Sequence, residues 1–188
     1  PLIFAKFPNS IAGQDDEIIW DVNVTKKVDF EAELAVIIGK KVYNCTETEA
    51  TEAVFGYTCA NDVSARDLQF GDGQWVRGKS LDTFCPIGPW VVTPEDIPDP
   101  HALKIQCWLN GQLMQDSNTN QIVFKVPTLI SFFSKHFTLV PGDIIMTGTP
   151  HGVGAFRDPL VYMKDGDEVV VEIESIGRLV NRCRMRGG

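Results

Sequence analysis

Three acids, two basic side chains, a glutamine and a threonine carry the chemistry this sequence offers. Glu31 and Glu33 stand two residues apart in Asp29-Phe30-Glu31-Ala32-Glu33-Leu34, at the mouth of the apolar run 34–38, which Gly39 ends. A run this rich in β-branched residues reads as a buried strand. A strand turns residues i and i+2 to one face, so the two carboxylates point the same way. They repel each other, and burying either as an ion is costly unless a cation lies between them. A hard divalent cation with oxygen ligands answers that need. A solvated strand end carrying two unpaired glutamates is the alternative that these two residues leave open.

A third acid follows in Asn61-Asp62-Val63-Ser64-Ala65-Arg66-Asp67, at the end of a second apolar stretch over 56–63. If the two strands are neighbours, Asp62 completes a three-carboxylate set with Glu31 and Glu33. Three acids and water suit Mg²⁺, Mn²⁺ or Ca²⁺, and the lack of a nearby His or Cys argues against zinc. An Asx turn or helix N-cap explains Asp62 equally well. Arg66 and Gln69 lie four and seven residues beyond Asp62, a spacing that one or two helical turns would bring to one face. An Arg beside a metal suits bidentate capture of a substrate carboxylate; a surface salt bridge to Asp67 is the plainer role. Lys79, between Gly78 and Ser80, can reach a site from a loop, although a solvated Lys is commoner. In Gly148-Thr149-Pro150, backbone amides and the Thr149 hydroxyl offer an oxyanion contact; an ordinary turn after a strand is the alternative. No G-x-S-x-G, H-E-x-x-H, P-loop or Rossmann fingerprint supports a serine hydrolase, a zincin or a nucleotide enzyme.

These residues need elements to hold them. Residues 1–28 read as irregular β structure. Thr46, with Glu49 three places on, starts a short helix whose apolar face is Ala50, Ala53, Val54 and Tyr57. Asn110-Gly111 between 103–109 and 112–115 is a type I′ hairpin signal. The spacing of apolar residues over 126–137 predicts a helix, with Pro127 in its first turn. A short strand is expected at 144–146, and a last hairpin runs over 168–174 and 178–182 with a frayed tail at 184–188. Strands dominate and tight turns join them, so the fold class is α+β and β-rich, without a regular βαβ pattern.

At 188 residues, 44% hydrophobic and 22% charged, the chain fits a single domain over 1–188. A net charge of −8 argues against nucleic acid or an anionic membrane as partner. The five cysteines are scattered and odd in number, which reads as buried free thiols in a reducing, intracellular compartment. No apolar run is long enough to cross a membrane. Because the numbering begins at Pro1, a longer chain is expected, with any targeting segment upstream.

Together these stretches resemble the fumarylacetoacetate hydrolase (FAH) family. The match is carried by 29–40, by 61–67, by Gly78-Lys79-Ser80-Leu81-Asp82-Thr83-Phe84-Cys85-Pro86-Ile87-Gly88-Pro89, by Asn118-Thr119-Asn120, and by the run 141–150 through Gly148-Thr149-Pro150. Within the family the chain looks most like the FAH domain-containing protein 2 branch. The resemblance implies a mixed β-roll with a few short helices, usually a homodimer, with Mg²⁺ or Mn²⁺ at its centre. It places Glu31, Glu33 and Asp62 as metal ligands and Arg66, Gln69, Lys79 and Thr149 as contacts to a small 2-oxo acid, with Lys79 and Arg66 the catalytic pair. Asp29 matches no ligand and reads as a strand-entry residue. The implied activity is keto–enol tautomerisation of oxaloacetate; acylpyruvate or fumarylpyruvate C–C hydrolysis and oxaloacetate decarboxylation are the alternatives, and a non-catalytic metal-stabilised binding protein is the rival of another class.

The hydrolytic and decarboxylating relatives carry a His/Glu lid on an N-terminal segment, which is expected to lie before Pro1. A mitochondrial location follows from the branch, with the cytoplasm as the alternative. His101 and His136 read as structural, and His151 as a turn residue that could face the pocket.

Overall fold

The computed structural model describes residues 1–187. The chain opens with β1 (Ile11–Ala12), β2 (Glu17–Asp21), β3 (Val28–Asp29) and β4 (Ala32–Ile38). Helix α1 (Glu47–Glu52) leads into β5 (Val54–Asn61), β6 (Ser64–Ala65) and two short helices, α2 (Arg66–Gly71) and α3 (Trp75–Lys79). Then come β7 (Cys85–Val92), the hairpin β8 (Lys104–Leu109) and β9 (Gln112–Asn118), α4 (Val126–Ser134), β10 (Ile144–Met146), and the hairpin β11 (Glu168–Ile173) and β12 (Gly177–Arg186). One sheet has the order β1-β7-β5-β4-β10, a second the order β2-β12-β11-β8-β9, and β3 pairs with β6. The β-rich α+β class expected from the sequence is what forms.

β4 explains the arrangement. It is almost wholly buried, lying between β5 and β10 with side chains covered on both faces. Leu34, Val36 and Ile38 pack with Ile105, Val171 and Ile173 of the second sheet and with Ile130 of α4 in one core. Each such side chain, fully buried, stabilises the fold by about 1.5–3 kcal/mol. The register sets Glu33 opposite Ala60 and Ala32 opposite Asn61, which brings the start of β4 beside the end of β5. Both candidate glutamates thus meet the Asn61-Asp62 corner.

Several boundaries differ from the sequence reading. Thr46 does form a capping box with Glu49, but α1 ends at Glu52. Val54 onward pairs with β4 instead, so Tyr57 is a strand residue. A β-branched and aromatic stretch gains more from the sheet than from another helical turn. Helix α4 stops at Ser134, leaving Phe137 half exposed beyond it. The hairpin at Asn110-Gly111 forms with both residues at positive φ (50° and 75°), as a type I′ turn requires. The 184–186 stretch is not frayed: β12 continues to Arg186, parallel to β2, with Met185 opposite Trp20. Gly188 lies outside the described residues. All five cysteines are free and buried, and among the described residues no helix is long and apolar enough to cross a membrane.

His101 is structural, as expected. Its Nε2 accepts the Val126 N–H at 3.0 Å, satisfying a donor at the start of α4. Burial, with Lys125 nearby, holds the imidazole below its ordinary value of 6.5, although Asp99 pulls the other way. The folded chain therefore binds this proton less readily than the unfolded chain. The contribution is complete above about pH 6.5 and is lost as pH falls through the depressed folded value. His101→Ala is expected to cost about 1 kcal/mol at neutral pH and to flatten the acid limb of stability between pH 7 and 5, read by urea denaturation at each pH.

Candidate metal centre

Glu31, Glu33 and Asp62 come together. Each offers an oxygen, all within 4.8 Å of one another, and all three residues are buried. Glu33 projects from β4, Glu31 from the residue before it, and Asp62 from the residue after β5. A hydrogen bond from Glu31 N–H to Asn61 Oδ1 (2.9 Å) and one from Asp62 N–H to the Glu31 carbonyl (2.9 Å) lock the corner. The expectation of a shared face for the two glutamates holds.

Lys79 lies at the end of α3, not in a loop as the sequence suggested, and is 1% exposed. Its Nζ donates to Glu31 Oε2 at 2.8 Å and to Asp62 Oδ2 at 2.7 Å. Burial alone would lower this ammonium, but Asp62 and Glu31 outweigh burial and hold it above its ordinary value. Arg66, at the start of α2, pairs with Glu31 Oε1 at 2.7 Å through Nη1 and donates from Nε to Asp29 Oδ2 at 2.9 Å. It does not pair with Asp67, which instead accepts from Thr25 and from Lys26 N–H. Gln69, one turn on, accepts from Arg66 Nη1 at 3.0 Å. Arg66 and Gln69 share a helical face as expected; Asp62 is outside the helix.

Thr149 stands apart from this network. It lines an open cleft of about 670 Å³ together with Glu31, Pro150, His151, Gly152 and Arg157. Its preceding residue, Gly148, sits at φ +100° and donates its N–H to Glu33 Oε2 at 2.6 Å. That amide therefore orients a carboxylate and is not free for an oxyanion. His151 is exposed on the cleft wall. His136 lies past the end of α4, its Nδ1 2.9 Å from the Phe132 carbonyl.

Two residues take parts the sequence did not reveal. Asp29 is wholly buried and does more than enter a strand. Besides Arg66, it accepts the N–H groups of Phe30, Gly154 and Ala155 at 2.8–2.9 Å, which tie the cleft loop to the arginine. A Cβ on Gly154 would collide with the Val161 carbonyl and press on Asp29 Oδ1, so only glycine allows this approach. Its own clue was an acid on the same face as two others. The second residue is Lys6, whose Nζ lies 2.7 Å from Asp62 Oδ1 and also meets the Lys79 carbonyl. Nothing in its local sequence marks it, because the contact spans 56 residues.

The charges decide what the cluster can hold. With every group ionised, the four carboxylates of Asp29, Glu31, Glu33 and Asp62 face the three basic side chains of Lys6, Arg66 and Lys79, one negative charge in excess. Among the described residues no Lys or Arg pairs with Glu33. Burial raises the Glu33 carboxyl well above its ordinary range; Asp62 and Glu31 add to the rise, and Lys79 and the Gly148 amide oppose it. Burial likewise raises Glu31, against Lys79 and Arg66. Asp62 is held low: burial pushes it up, but Lys6 and Lys79 prevail. A buried, all-oxygen set with one uncompensated carboxylate fits a hard divalent cation. These three carboxylates can hold a metal ion.

Curled sheets around a buried acidic centre with an adjoining cleft define a β-roll whose acidic triad can hold a metal ion. The chain belongs to the fumarylacetoacetate hydrolase family: residues 1–184 match the family described as fumarylacetoacetate (FAA) hydrolase C-terminal. It is 53% identical over 183 residues to the mitochondrial oxaloacetate tautomerase Fahd2a of Rattus norvegicus, a match that covers 97% of this chain and 58% of that protein. The chain thus spans somewhat over half the length of that relative. Among solved structures, a fumarylacetoacetate hydrolase from Exiguobacterium antarcticum superposes with a TM-score of 0.95 at 44% identity, covering 98% of this chain and 66% of that one. The 5-carboxymethyl-2-hydroxymuconate delta-isomerase of Mycobacterium smegmatis gives 0.92 at 40% identity, covering all of this chain and 70% of its own. The family and branch expected from the sequence are both borne out.

Proposed function

We propose that residues 1–188 form one catalytic domain of a divalent-metal-dependent enzyme that interconverts the keto and enol forms of oxaloacetate or a similar 2-oxo diacid. The observation that carries this reading is the buried Glu33 carboxylate, unpaired beside two others that share Lys79. Glu31, Glu33 and Asp62 are the ligands in this reading, with Mg²⁺ or Mn²⁺ the suited ions. When bound there, the ion supplies Lewis-acid polarisation of a substrate carbonyl.

The chain's own residues do the rest. Lys79 keeps its ammonium charged between two carboxylates, so it neutralises negative charge that develops on the substrate oxygen when the C3 proton leaves. Held in that state it is a donor: in the enol-to-keto direction it delivers a proton to C3, and the proton lost from the enol hydroxyl, relayed through water, restores the ammonium. Asp29, Glu31 and Gln69 fix the Arg66 guanidinium. Its Nη2 also pairs with Asp29 Oδ2 at 2.8 Å, so the guanidinium is clamped between two carboxylates. In this reading its positive charge, beside Glu31 on the cleft wall, favours a substrate carboxylate there. Thr149 offers a further contact from the cleft wall. The naming of the rat relative, at 53% identity, as an oxaloacetate tautomerase and of the mycobacterial neighbour as an isomerase supports keto–enol chemistry. The Exiguobacterium neighbour, named a hydrolase at 44% identity, supports C–C hydrolysis as the second reading. A mitochondrial location and a homodimeric assembly complete this reading.

The test is the decay of enol-oxaloacetate followed by ultraviolet absorbance. With Mg²⁺ the chain is expected to accelerate the decay, and excess EDTA to remove the acceleration. A rate equal to that of buffer with Mg²⁺ overturns the assignment. Pyruvate released from an acylpyruvate would favour the hydrolase.

A further inference from the structure

Gln115, on β9, is 1% exposed and belongs to none of the groups assigned so far. We infer that Gln115 is a positioning residue that fixes the Thr149 hydroxyl as a hydrogen-bond donor toward the substrate carboxylate. The inference rests on the 2-oxo acid reading and deepens it.

The chemistry of its partners dictates the orientation of the amide. Gln115 Oε1 accepts the Ala32 N–H at 3.0 Å, and that N–H can only donate. Gln115 Nε2 lies 2.8 Å from the Pro150 carbonyl, which can only accept, and 2.9 Å from Thr149 Oγ1. With one amide hydrogen on Pro150, the other goes to Thr149, whose oxygen is therefore the acceptor. The Thr149 hydrogen is then left to donate elsewhere, and Thr149 lines the cleft beside Glu31. A free hydroxyl rotates between donor and acceptor roles; this one is set as a donor, the role a carboxylate needs.

The same side chain sets a distance. Ala32 lies between Glu31 and Glu33, so one buried amide ties the backbone of the acidic pair to the loop that carries Thr149. The loop lies close against β9. Gly152 stands at φ +103°, and a Cβ there would collide with the Met114 carbonyl. Arg157 Nη1 reinforces the seam by donating to Met114 O at 3.2 Å and Gly152 O at 3.3 Å. Thr149 therefore has little freedom to seek the substrate by moving, and the direction of its hydroxyl matters.

Gln115→Glu keeps the shape and the bond to Ala32 but replaces the donor with an acceptor. The Thr149 hydrogen then turns to residue 115 and presents lone pairs to the cleft. Steady-state kinetics on enol-oxaloacetate with saturating Mg²⁺ should show KM raised about tenfold, the worth of one hydrogen bond, with a smaller change in kcat. The Mg²⁺-induced rise in Tm should be unchanged. Thr149→Val should raise KM to a similar extent, and the double variant should be no worse than the weaker-binding single one, because both remove one contact. If Q115E does not fold, Gln115→Met in the same cycle serves instead; it leaves the Thr149 hydroxyl free to rotate rather than reversed, so a smaller rise in KM, about threefold, is expected. A KM within twofold of the parent, or effects that multiply in the double variant, overturns the inference. If the parent chain neither accelerates enol decay nor binds oxalate by calorimetry with Mg²⁺ present, the 2-oxo acid reading fails and this inference falls with it. An active parent with an unaffected Q115E removes the role of Gln115 alone.

Discussion

Glu33→Gln is expected to abolish the response to divalent cation while leaving the metal-free chain at least as stable as the parent. The carboxylate it removes is 4% exposed and has no basic partner among the described residues. Its ionised form is opposed by burial and by Asp62 and Glu31. An amide of the same shape still accepts the Gly148 N–H that now reaches Oε2 at 2.6 Å, and it carries no charge to desolvate. Relief of that cost is worth about 1 kcal/mol or more in the metal-free state. Loss of a direct ligand should weaken Mg²⁺ binding by more than about 100-fold, beyond what outer-shell substitutions cost at metal sites. Differential scanning fluorimetry in EDTA and in Mg²⁺ reads both effects together. The parent should gain Tm with Mg²⁺ and the variant should not, and enol-oxaloacetate turnover should fall to the background rate. An unchanged turnover in Glu33→Gln or Glu33→Ala would remove Glu33 from the site. A metal-free variant markedly less stable than the parent would mean that Glu33 is structural.

Lys79→Met should have the opposite signature. Methionine roughly fills the space of the lysine stem but takes away the charge that Glu31 and Asp62 share at 2.8 and 2.7 Å. Lys6 remains on Asp62 and Arg66 on Glu31, so the corner keeps part of its compensation. Removing one partner from a buried ion network costs about 3–5 kcal/mol. At about 2–4 °C per kcal/mol for a chain of this size, Tm in EDTA should fall by about 6–20 °C. Mg²⁺ should then raise Tm more in the variant than in the parent, because a cation restores the missing charge. Under the 2-oxo acid reading turnover should still collapse, since that reading sets the Lys79 ammonium against the developing oxyanion. A variant as stable as the parent in EDTA would mean that Lys79 contributes little to holding the corner together. The two substitutions thus separate a carboxylate kept for its ligand from a lysine kept for its charge.

Local sequence carried a good part of this. The i, i+2 spacing of Glu31 and Glu33 at the mouth of an apolar run determined that they share a face, because side-chain alternation is intrinsic to an extended chain. The capping box at Thr46 and the turn at Asn110-Gly111 were legible for the same reason: their partners lie within a few residues. Boundaries were harder. Tyr57 follows a helix whose pattern it fits, but β4 offers its segment a ladder of hydrogen bonds, and no local propensity reports a neighbour some twenty residues away. Lys79 read as a loop residue because Gly78 obscures a helix of one turn.

Position by position, the resemblance to a family picked out seven residues. Six of them meet in one buried network. The seventh, Thr149, stands outside it, with its neighbour Gly148 bonded to Glu33 and its own hydroxyl to Gln115. What only the tertiary structure decided is the company these residues keep. Asp29 holds Arg66 across 37 positions, Lys6 holds Asp62 across 56, and Gln115 reaches Ala32 across 83. Electrostatic and hydrogen-bond partners act through space over a few ångströms, whereas sequence patterns record only what the next few residues impose. The types and spacing of Glu31, Glu33 and Asp62 therefore announced an acidic centre; which lysine balances it, which carboxylate is left without a cation, and which way a hydroxyl points became determinate only when the two sheets closed around it.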